Sequence, residues 1–321
     1  MSVSIITAWM TAASSTSPPR LKLSCTGVEL GAEVAVAMVT RRRPRPGLPV
    51  LLAALAAGPG VLAGAPRQAT PRLDDIVAAL HHYVQDYEDR LTLIVADENY
   101  LQRVYGLGTK LPVRATRQTK SEVFFAFTPT SKQWLAVRDV ESVDGQAVPN
   151  RPDVASMLAS TPAKEVAATL KMYNSRYNVG SVYRNFNEPT LSLELFDSVH
   201  HEDLAYELKG LNVERGASLA TLGFRERGAP TLIVDVDQHP VESSGEVTVE
   251  TATGRVRKID LKSPFDDAVS ELETTYGHDV KLDFWVPVQF VEHYTAAADQ
   301  VIVCRATYTN FRRFEVHGGI K

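Results

Sequence analysis

The chain has 321 residues, 44% of them hydrophobic, and it carries 34 basic and 38 acidic residues for a formal net charge of −4. That balance argues against general binding of nucleic acid or of anionic membranes, because both need a cationic surface. The length is sufficient for one large domain or two small ones with a sizeable core.

A tract with the form of a secretory signal lies well inside the chain. Closely spaced arginines precede an apolar run, and small residues follow at A-x-A spacing: Arg41, Arg42, Arg43 and Arg45; Leu48 to Ala63; Ala63 and Ala65. This order is typical of an export signal. A transmembrane anchor is the alternative, but a span needs about 20 uninterrupted apolar residues, and Gly58-Pro59-Gly60 breaks this run. We therefore predict a signal peptide at 38–65 and export to the periplasm or the extracellular space.

Residues 1–37 show neither a sustained apolar period nor a charge pattern. Because Met38 stands just before the arginines, we interpret 1–37 as an upstream artefact, with a disordered extension as the alternative. The mature protein is then a single β-rich domain over 66–321. Six basic and two acidic residues lie in 1–65, so removing that segment lowers the net charge to −8.

Only one cysteine remains in the predicted mature chain, Cys304, since Cys25 lies in the removed part. An internal disulfide is therefore excluded there. No cysteine follows the apolar run to accept a lipid, so we expect a soluble protein with no transmembrane anchor rather than a lipoprotein. Cys304 alternates with Ile302, Ala306 and Tyr308 on the more apolar face of a strand, which favours a buried, inert thiol over a nucleophile.

The first element of the mature chain is an amphipathic helix in "PRLDDIVAALHHYVQDYEDRL". Its apolar residues recur at helical spacing, and acidic residues occupy the first turn, where the helix dipole favours them: Ile76, Leu80, Tyr83, Val84, Tyr87 and Leu91; Asp74 and Asp75. From about Ile94 the alternation typical of strands takes over. Val123 to Phe127 are apolar at every position, which indicates a strand that is covered on both faces.

A helical insertion at 152–178 interrupts the strands, with a break at Thr161-Pro162. The chain then returns to predicted strands, from "TLSLELF" to "ATYTNFRRFEV". Turn signals separate many of them: Arg215-Gly216, Thr253-Gly254, Gly277-His278-Asp279 and Ala296 to Asp299. Strands joined by such short turns pair antiparallel. The sequence therefore predicts an α+β fold, a curved antiparallel meander with an N-terminal helix and a helical insertion.

One late strand, "DFWVPVQFVEHY", supplies a candidate apolar wall. Phe284, Val286, Val288 and Phe290 are predicted to face one way, and Pro287, which lacks a ladder donor, indicates an edge or a bulge. A continuous wall of this kind would suit a lipid or another apolar ligand on the concave face of the sheet. The alternative is that the chain's own helices, the 152–178 insertion among them, fill that face.

The helix leading into a meander, with "TATGRVRKIDL" and then "DFWVPVQFVEHY", resembles the unclosed half-barrel of the periplasmic lipoprotein carriers and receptors of the LolA/LolB type. Over most of Leu73 to Val316 the chain is also similar to uncharacterised exported bacterial proteins, most clearly at "WLAVRDVESVDGQAV", "SRYNVGSVYRNFNEPTLSLEL" and "ATYTNFRRFEV". The resemblance implies a half-barrel fold and an apolar ligand, and it carries over no ligand-binding residue. The helical insertion departs from the carrier pattern.

Known catalytic motifs are absent from the sequence: nucleophile elbows, zinc-protease helices, phosphate loops and paired-cysteine metal motifs. His82 and Asp86 stand one helical turn apart, but no third metal ligand is evident, so a solvated pair is expected. His200 and its neighbours His201, Glu202 and Asp203 are expected in a surface loop, where adjacent side chains diverge. We predict no catalytic residue, no metal site and no cofactor.

The polar and aromatic run "RYNVGSVYRNFNEPT" gives a second group of candidate ligand-binding residues, Arg176, Tyr177 and Arg184, at a helix-to-strand junction. These side chains suit recognition of a carboxylate, a phosphate or a sugar hydroxyl. They suit equally the satisfaction of the junction's own backbone groups.

Three hypotheses about function follow. The leading one is an exported, non-enzymatic protein that binds a lipid or another apolar or amphiphilic molecule, such as a lipoprotein acyl chain, on its curved sheet. The second is an envelope module that binds another protein. The third is a hydrolase that uses a metal or carboxylates near His82 and His200.

Overall fold

The computed structural model describes residues 6–7, 71–92, 94–106, 112–128, 133–182, 184, 188–235, 237–296 and 300–314. The predicted signal peptide at 38–65 lies outside these residues. No described helix combines the length and the apolar character that a membrane crossing needs.

Strands outnumber helices along the described part of the chain. In chain order the elements are β1 (Ile6–Thr7), α1 (Leu73–Arg90), β2 (Ile94–Gly106), β3 (Val113–Thr128), β4 (Gln133–Val143), β5 (Gln146–Ala147), α2 (Val154–Ser160), α3 (Ala163–Asn174), β6 (Leu204–Glu214), β7 (Ala217–Glu226), β8 (Ile233–Val234), β9 (Pro240–Val241), β10 (Ser244–Glu250), β11 (Val256–Pro264), β12 (Ala268–Asp279), β13 (Phe284–Ala296) and β14 (Gln300–Arg313). Short 3-10 helices cover Ser175–Tyr177, Leu191–Phe196 and His201–Asp203.

Eleven strands form one antiparallel sheet in the order β5-β4-β3-β2-β14-β13-β12-β11-β10-β7-β6, and β1, β8 and β9 form a separate small sheet. The edge strands β5 and β6 do not pair with each other, so the large sheet is open. Most strands pair with their neighbours in sequence, and β14 joins the two halves by pairing with β2. The predicted α+β fold with an unclosed antiparallel sheet is confirmed.

Helix α1 covers one face of the sheet, which we call the inner face. Five of the six residues predicted for its apolar stripe are fully buried, Ile76, Leu80, Val84, Tyr87 and Leu91, and the sixth, Tyr83, is partly buried against the same core. The same core includes inward residues of nearly every long strand. Gly254, in the β10–β11 turn, lies so close to the helix that a Cβ there would collide with the Ala79 carbonyl. The helix is thus seated directly on a strand turn.

The helical insertion packs on the opposite, outer face. Residues of α2 and α3 form a second core with outward residues of β2, β3 and β4: Val154, Val166, Ala167 and Leu170; Val95, Phe124, Leu135 and Val137. Val123 and Phe125 face the inner core while Phe124 faces the outer one, so the prediction that this strand is covered on both faces is confirmed. The insertion does not fill the inner face.

A different stretch, residues 188–200, joins α1 in covering the inner face, and we call it the inner segment. The sequence predicts a strand at "TLSLELF", and this prediction is wrong, because Leu191–Phe196 form a 3-10 helix whose six residues are all buried. At this edge of β4 no neighbouring strand within the described residues accepts the backbone hydrogen bonds, and two glutamate carboxylates of the inner segment accept them instead. Trp134 N donates to Glu194 Oε1 at 3.1 Å, and Ala136 N donates to Glu188 Oε2 at 3.3 Å.

Within the described residues, the strand connections follow the turn signals except at 277–279, and the signal at Ala296 to Asp299 falls on residues 297–299, which lie outside the described residues. Arg215 and Gly216 adopt positive φ between β6 and β7, as predicted. The predicted turn at 277–279 is wrong, because β12 continues to Asp279 and the connection to β13 lies at 280–283. Asp283, with φ 48°, supplies the left-handed residue there, and Asp279 Oδ1 accepts hydrogen bonds from Lys281 N and Leu282 N.

Candidate functional site

The predicted apolar wall lies on β13, but a bulge breaks its alternation. Tyr276 pairs with Pro287 and Thr275 with Gln289, so Val288 has no partner across the ladder. The expectation of a bulge at Pro287 is therefore confirmed. Phe284, Val286 and Phe290 are buried in the inner core, and Val288 is half-buried against it. The alternation that was predicted to place these four residues on one face is interrupted at the bulge, where Pro287 is buried as well.

A cleft of about 390 Å³ opens at the C-terminal half of α1. It lies between the helix, the β10–β11 turn and the start of β13, and its walls include Tyr83, Tyr87, Arg90, Arg255 and Phe284. The rings of Tyr87 and Phe284 lie 4.7 Å apart between centroids. Both rings belong to the inner core, so the cleft reaches from the protein surface to the predicted wall.

Cations lie over aromatic rings around this cleft. The Arg90 guanidinium is 4.4 Å from the centroid of Phe284, and that of Arg257 is 3.8 Å from the centroid of Trp285. Arg90 also donates to Asp283 O at 2.9 Å. The Arg90 guanidinium thus covers one face of the Phe284 ring, and most of the other residues that line the cleft are polar or charged, including His82, Asp86, Thr253, Arg255, His278 and Asp283. The cleft therefore suits a molecule that has both apolar and polar parts.

The contact between α1 and the sheet contains buried polar atoms that lack hydrogen-bond partners among the described residues. They include Tyr83 Oη, Tyr87 Oη and Trp134 Nε1. Burial raises the pKa of Tyr87 well above its ordinary value, with smaller contributions from Tyr83 and Tyr276. Apolar contacts hold α1 on the sheet. The unsatisfied polar atoms weaken this packing, because each one costs about 1–3 kcal/mol.

The predicted junction residues lie near one another but differ in exposure. Arg176 is exposed and lies over the rings of Tyr173 and Tyr177, at 3.6 and 4.7 Å from their centroids. Tyr177 O accepts from Gln102 Nε2 at 3.1 Å. Arg184 is buried, and its Nη2 donates to Val179 O at 3.1 Å. Tyr177 and Arg184 line one small pocket, whereas Arg176 does not. Tyr183, Asn185 and Asn187 lie outside the described residues.

The histidines occupy different environments. His82 and Asp86 form the expected exposed pair, with Nδ1 and Oδ2 3.4 Å apart. The expectation of a surface loop at His200 is wrong, because His200 is buried and its Nδ1 lies 3.1 Å from Asp197 Oδ1. Asp197 draws the histidine inward, since its Oδ1 also accepts from His200 N and Val199 N. Across the described parts of the chain, no group of three or more metal-ligating side chains is arranged around one point.

Cys304 is fully buried on the inner face, between the rows of β2 and β13. Burial raises the pKa of its thiol to about 12, although Arg184 favours the thiolate. The thiol is therefore protonated at neutral pH, in keeping with the inert role expected from the strand pattern.

Three buried polar residues of the site were not predicted from the sequence. Glu98, Gln102 and Glu292 are buried on the inner face, where strand alternation alone would place apolar side chains. Arg138 Nε donates its one N–H to both carboxylate oxygens of Glu98, at 3.0 Å from Oε1 and 2.9 Å from Oε2. The available signal was the position of each residue in the inward row of its strand, between Ala96, Tyr100 and Val104 on β2 and between Phe290 and Tyr294 on β13.

The chain is similar in structure to several solved proteins, a LolA superfamily protein among them. A LolA superfamily protein from Nitrosomonas europaea is 13% identical, with a TM-score of 0.30, over 74% of this chain and 94% of that one. A DUF1329 family protein from Desulfovibrio piger is 11% identical, with a TM-score of 0.35, over 78% and 96%. A putative outer membrane lipoprotein-sorting protein domain from Vibrio parahaemolyticus is 8% identical, with a TM-score of 0.34, over 76% and 95%. No family model and no curated protein matches the sequence.

Proposed function

We propose that the chain is an exported, non-enzymatic protein of the periplasm or cell exterior that binds a lipid, or another apolar or amphiphilic molecule, on the inner face of its open sheet. A lipoprotein acyl chain is one such ligand. The observation that carries the proposal is the cleft of about 390 Å³ beside α1, which reaches from the surface to the rings of Tyr87 and Phe284.

Helix α1 acts as the displaceable cover in this proposal. Its apolar contacts with the sheet come mainly from the side chains of one stripe. Two hydrogen bonds add to them, between His81 Nε2 and Tyr206 Oη and from Arg90 to Asp283 O. The inner face beneath it is apolar over β10 to β13, where Val247, Ile259, Leu272 and Phe290 are buried. A ligand that enters at the cleft and moves α1 outward would exchange one apolar contact for another, which keeps the cost of opening low.

A binding assay with the fluorescent apolar probe N-phenyl-1-naphthylamine tests this function. We expect saturable binding to the detergent-free protein. Val288→Glu should weaken it about tenfold or more, because the ligand would have to pass a charge that the apolar face cannot solvate. Val288 is half-buried, so the variant is more tolerable to the fold than the same change at buried Val286.

Val291→Glu is the matched control. It is the same substitution on the same strand, but Val291 pairs with Glu273 and Arg305 and adjoins the outer-face groove of β10 to β13. Probe binding by Val291→Glu should stay within about twofold of the original protein. Unchanged binding by Val288→Glu, or equal losses in both variants, would contradict the proposed wall.

The envelope interaction module is a second candidate, and the edge strand β6 favours it. The C-terminal half of β6 is exposed, with Leu211 and Val213 at 45% and 67% exposure. An edge strand also offers unpaired backbone groups to an extended polypeptide. Sedimentation of the protein alone would test whether the added strand is a second copy. Self-association that Val213→Lys removes would support this candidate, and a monomer at high concentration would contradict pairing between copies.

A further inference from the structure

Arg184 is a buried cation whose hydrogen-bond acceptors are all neutral. The residue is 2% exposed. Its Nη2 donates to Gln102 Oε1 at 2.6 Å and to Val179 O at 3.1 Å, and its Nη1 lies 2.7 Å from Cys304 Sγ. Its Nε has no partner among the described residues. Arginine stays protonated in proteins, with five N–H donors, so this guanidinium keeps its charge, and its Nε–H and one Nη1–H have no acceptor among the described residues.

Buried charges are ordinarily paired, because transfer of an isolated charge from water is very costly. Arg138, the neighbouring inward arginine, follows this rule, because its Nε–H is shared between the two carboxylate oxygens of Glu98. Arg184 forms no ion pair with a described carboxylate. Buried Glu292 interacts with it electrostatically, but Glu292 Oε2 accepts its hydrogen bond from Tyr294 Oη, at 2.5 Å.

A small pocket adjoins Arg184. It has a volume of about 40 Å³ and is lined by three cations, Arg138, Lys171 and Arg184, by the amides of Asn174 and Asn178, and by Tyr177 among others, with no Asp or Glu among its lining residues. One water molecule needs roughly 10–15 Å³ of cavity volume, so the pocket has room for about three atoms of the size of a water oxygen. A carboxylate group has three heavy atoms, so its size matches the pocket. Arg138 already pairs with Glu98 and Lys171 with Glu188, so Arg184 is the cation of this pocket that has no ion pair with a described carboxylate.

Strand β13 connects this pocket with the apolar wall. The Arg184 guanidinium lies 5.6 Å from the ring centroid of Tyr294. Phe290 and Tyr294 occupy the same row of β13, opposite Thr274 and Ser270 of β12, and the buried Glu292 lies between them in that row. Four residues of strand span about 13 Å, so an acyl chain attached to a group at Arg184 is long enough to reach Phe290.

We propose that Arg184 and its pocket bind the carboxylate of an anionic amphiphile whose apolar chain lies along the inner row of β13. The inference rests on the proposed function, because it takes the inner face as the binding site of the chain, and it adds the chemical class of the head group. The ligand is then a molecule of the fatty-acid type, in which a carboxylate ends a long hydrocarbon chain.

A comparison of oleate, oleyl alcohol and acetate as competitors of N-phenyl-1-naphthylamine tests the inference on the unaltered protein. Oleate should displace the probe with an affinity about tenfold or more above that of oleyl alcohol, which has the same chain without the carboxylate. Acetate should not displace it. Equal affinities of oleate and oleyl alcohol would overturn the inference and leave the proposed function standing, whereas displacement by neither would overturn both.

Acetate distinguishes the two sources of a carboxylate. If acetate alone abolishes the advantage of oleate over oleyl alcohol, the pocket is a site for small free carboxylates, and the proposed amphiphile is wrong. If acetate leaves that advantage unchanged, the carboxylate must arrive on a long chain, as proposed.

Variants supply an independent measure. Arg184→Gln should reduce the preference for oleate over oleyl alcohol to within about twofold while oleyl alcohol still binds. Arg305→Gln is the control, because Arg305 lies on β14 beside Cys304 but is exposed and donates to Gln289 Oε1 at 2.9 Å. A folded Arg184→Gln protein that keeps the full preference would overturn the assignment. If that variant does not fold, the ligand comparison on the unaltered protein decides.

Discussion

The ring of Tyr87 on α1 lies 4.7 Å from the ring of Phe284 at the start of β13. This contact joins the covering helix to the strand that carries the candidate apolar wall, and both rings line the cleft beside the helix. We therefore expect this contact to affect both the stability of the closed form and the access of a ligand to the inner face. Substitutions in this cover and in the buried groups beneath it should change stability and ligand binding in distinguishable ways.

Tyr87 separates the contribution of its ring from that of its hydroxyl. The side chain is fully buried, and its Oη has no partner among the described residues. Tyr87→Phe should leave the free energy of unfolding unchanged or raise it by about 1 kcal/mol, because it removes an unsatisfied polar atom. Tyr87→Ala should lower it by about 3–5 kcal/mol through the cavity it leaves. Urea unfolding measures both, and a marked loss in Tyr87→Phe would show that the hydroxyl is bonded.

Gly254 tests the seat of α1. An alanine there would have to adopt φ 65° and would also collide with the Ala79 carbonyl. Gly254→Ala should therefore destabilise the protein by more than the roughly 1–2 kcal/mol expected from left-handed backbone alone, and it should increase binding of an apolar dye by loosening the helix.

Gly216→Ala is the control for that variant. Gly216 has φ 86°, but nothing lies within 4 Å of an added Cβ. It should cost only the backbone strain of about 1–2 kcal/mol and leave dye binding unchanged. Equal thermal destabilisation and equal dye binding in the two variants would show that the β10–β11 turn does not hold α1.

The strands and the apolar stripe of α1 could be predicted from the sequence, because burial of one face makes apolar residues recur with the period of the helix or the strand. The stripe from Ile76 to Leu91 and the alternation around Cys304 are examples. The inner segment was not legible. Its apolar residues alternate as in a strand, but all six residues of Leu191–Phe196 are buried, and the partners of Glu188 and Glu194 on β4 are distant in sequence.

The candidate site could be predicted only in part, because its residues also depend on partners that are distant in sequence. Phe284 and Phe290 could be assigned to a buried row from their spacing, whereas the bulge at Val288 depends on the register against β12. Arg184 stood out as a polar residue at a junction. Its neutral partners, Gln102 and Cys304, come from two strands that only the fold brings together.

His81 should make the protein less stable in mild acid. Burial, and then the charge of His201, lower its pKa to about 4 from 6.5, and its Nε2 lies 2.9 Å from Tyr206 Oη. The unfolded chain thus takes up the proton first, so this contribution is present above about pH 6.5 and is lost as the pH falls toward about 4. His81→Gln should show a smaller fall in unfolding free energy from about pH 7 to about pH 5. An identical fall in both proteins would contradict the shift.

His200 should act in the opposite direction. Burial disfavours its charged form, but the hydrogen bond to Asp197 and the charge of Asp197 outweigh this effect and raise its pKa. Its stabilising contribution is therefore full below about pH 6.5 and is lost as the pH rises through the folded-state pKa. His200→Gln should cost more stability at about pH 5 than at about pH 8. A larger cost at the higher pH would contradict this assignment.

Cys304 should be unreactive in the folded protein. Its thiol is buried, and its pKa is raised to about 12. In a Cys25→Ser chain, a thiol reagent such as DTNB should react slowly at neutral pH and rapidly in urea, because only the exposed thiolate attacks. A fast reaction without urea would mean that the inner face opens readily even without a ligand.

Native mass spectrometry of the mature protein, purified from a periplasmic extract without detergent, tests the central claim most directly. The account predicts a population with additional mass that disappears on denaturation and matches a lipid or a fatty acid. The same spectrum gives the N-terminus and thus tests cleavage near Ala65. A bare chain that also takes up no added oleate or oleyl alcohol under the same conditions would contradict the ligand-binding function.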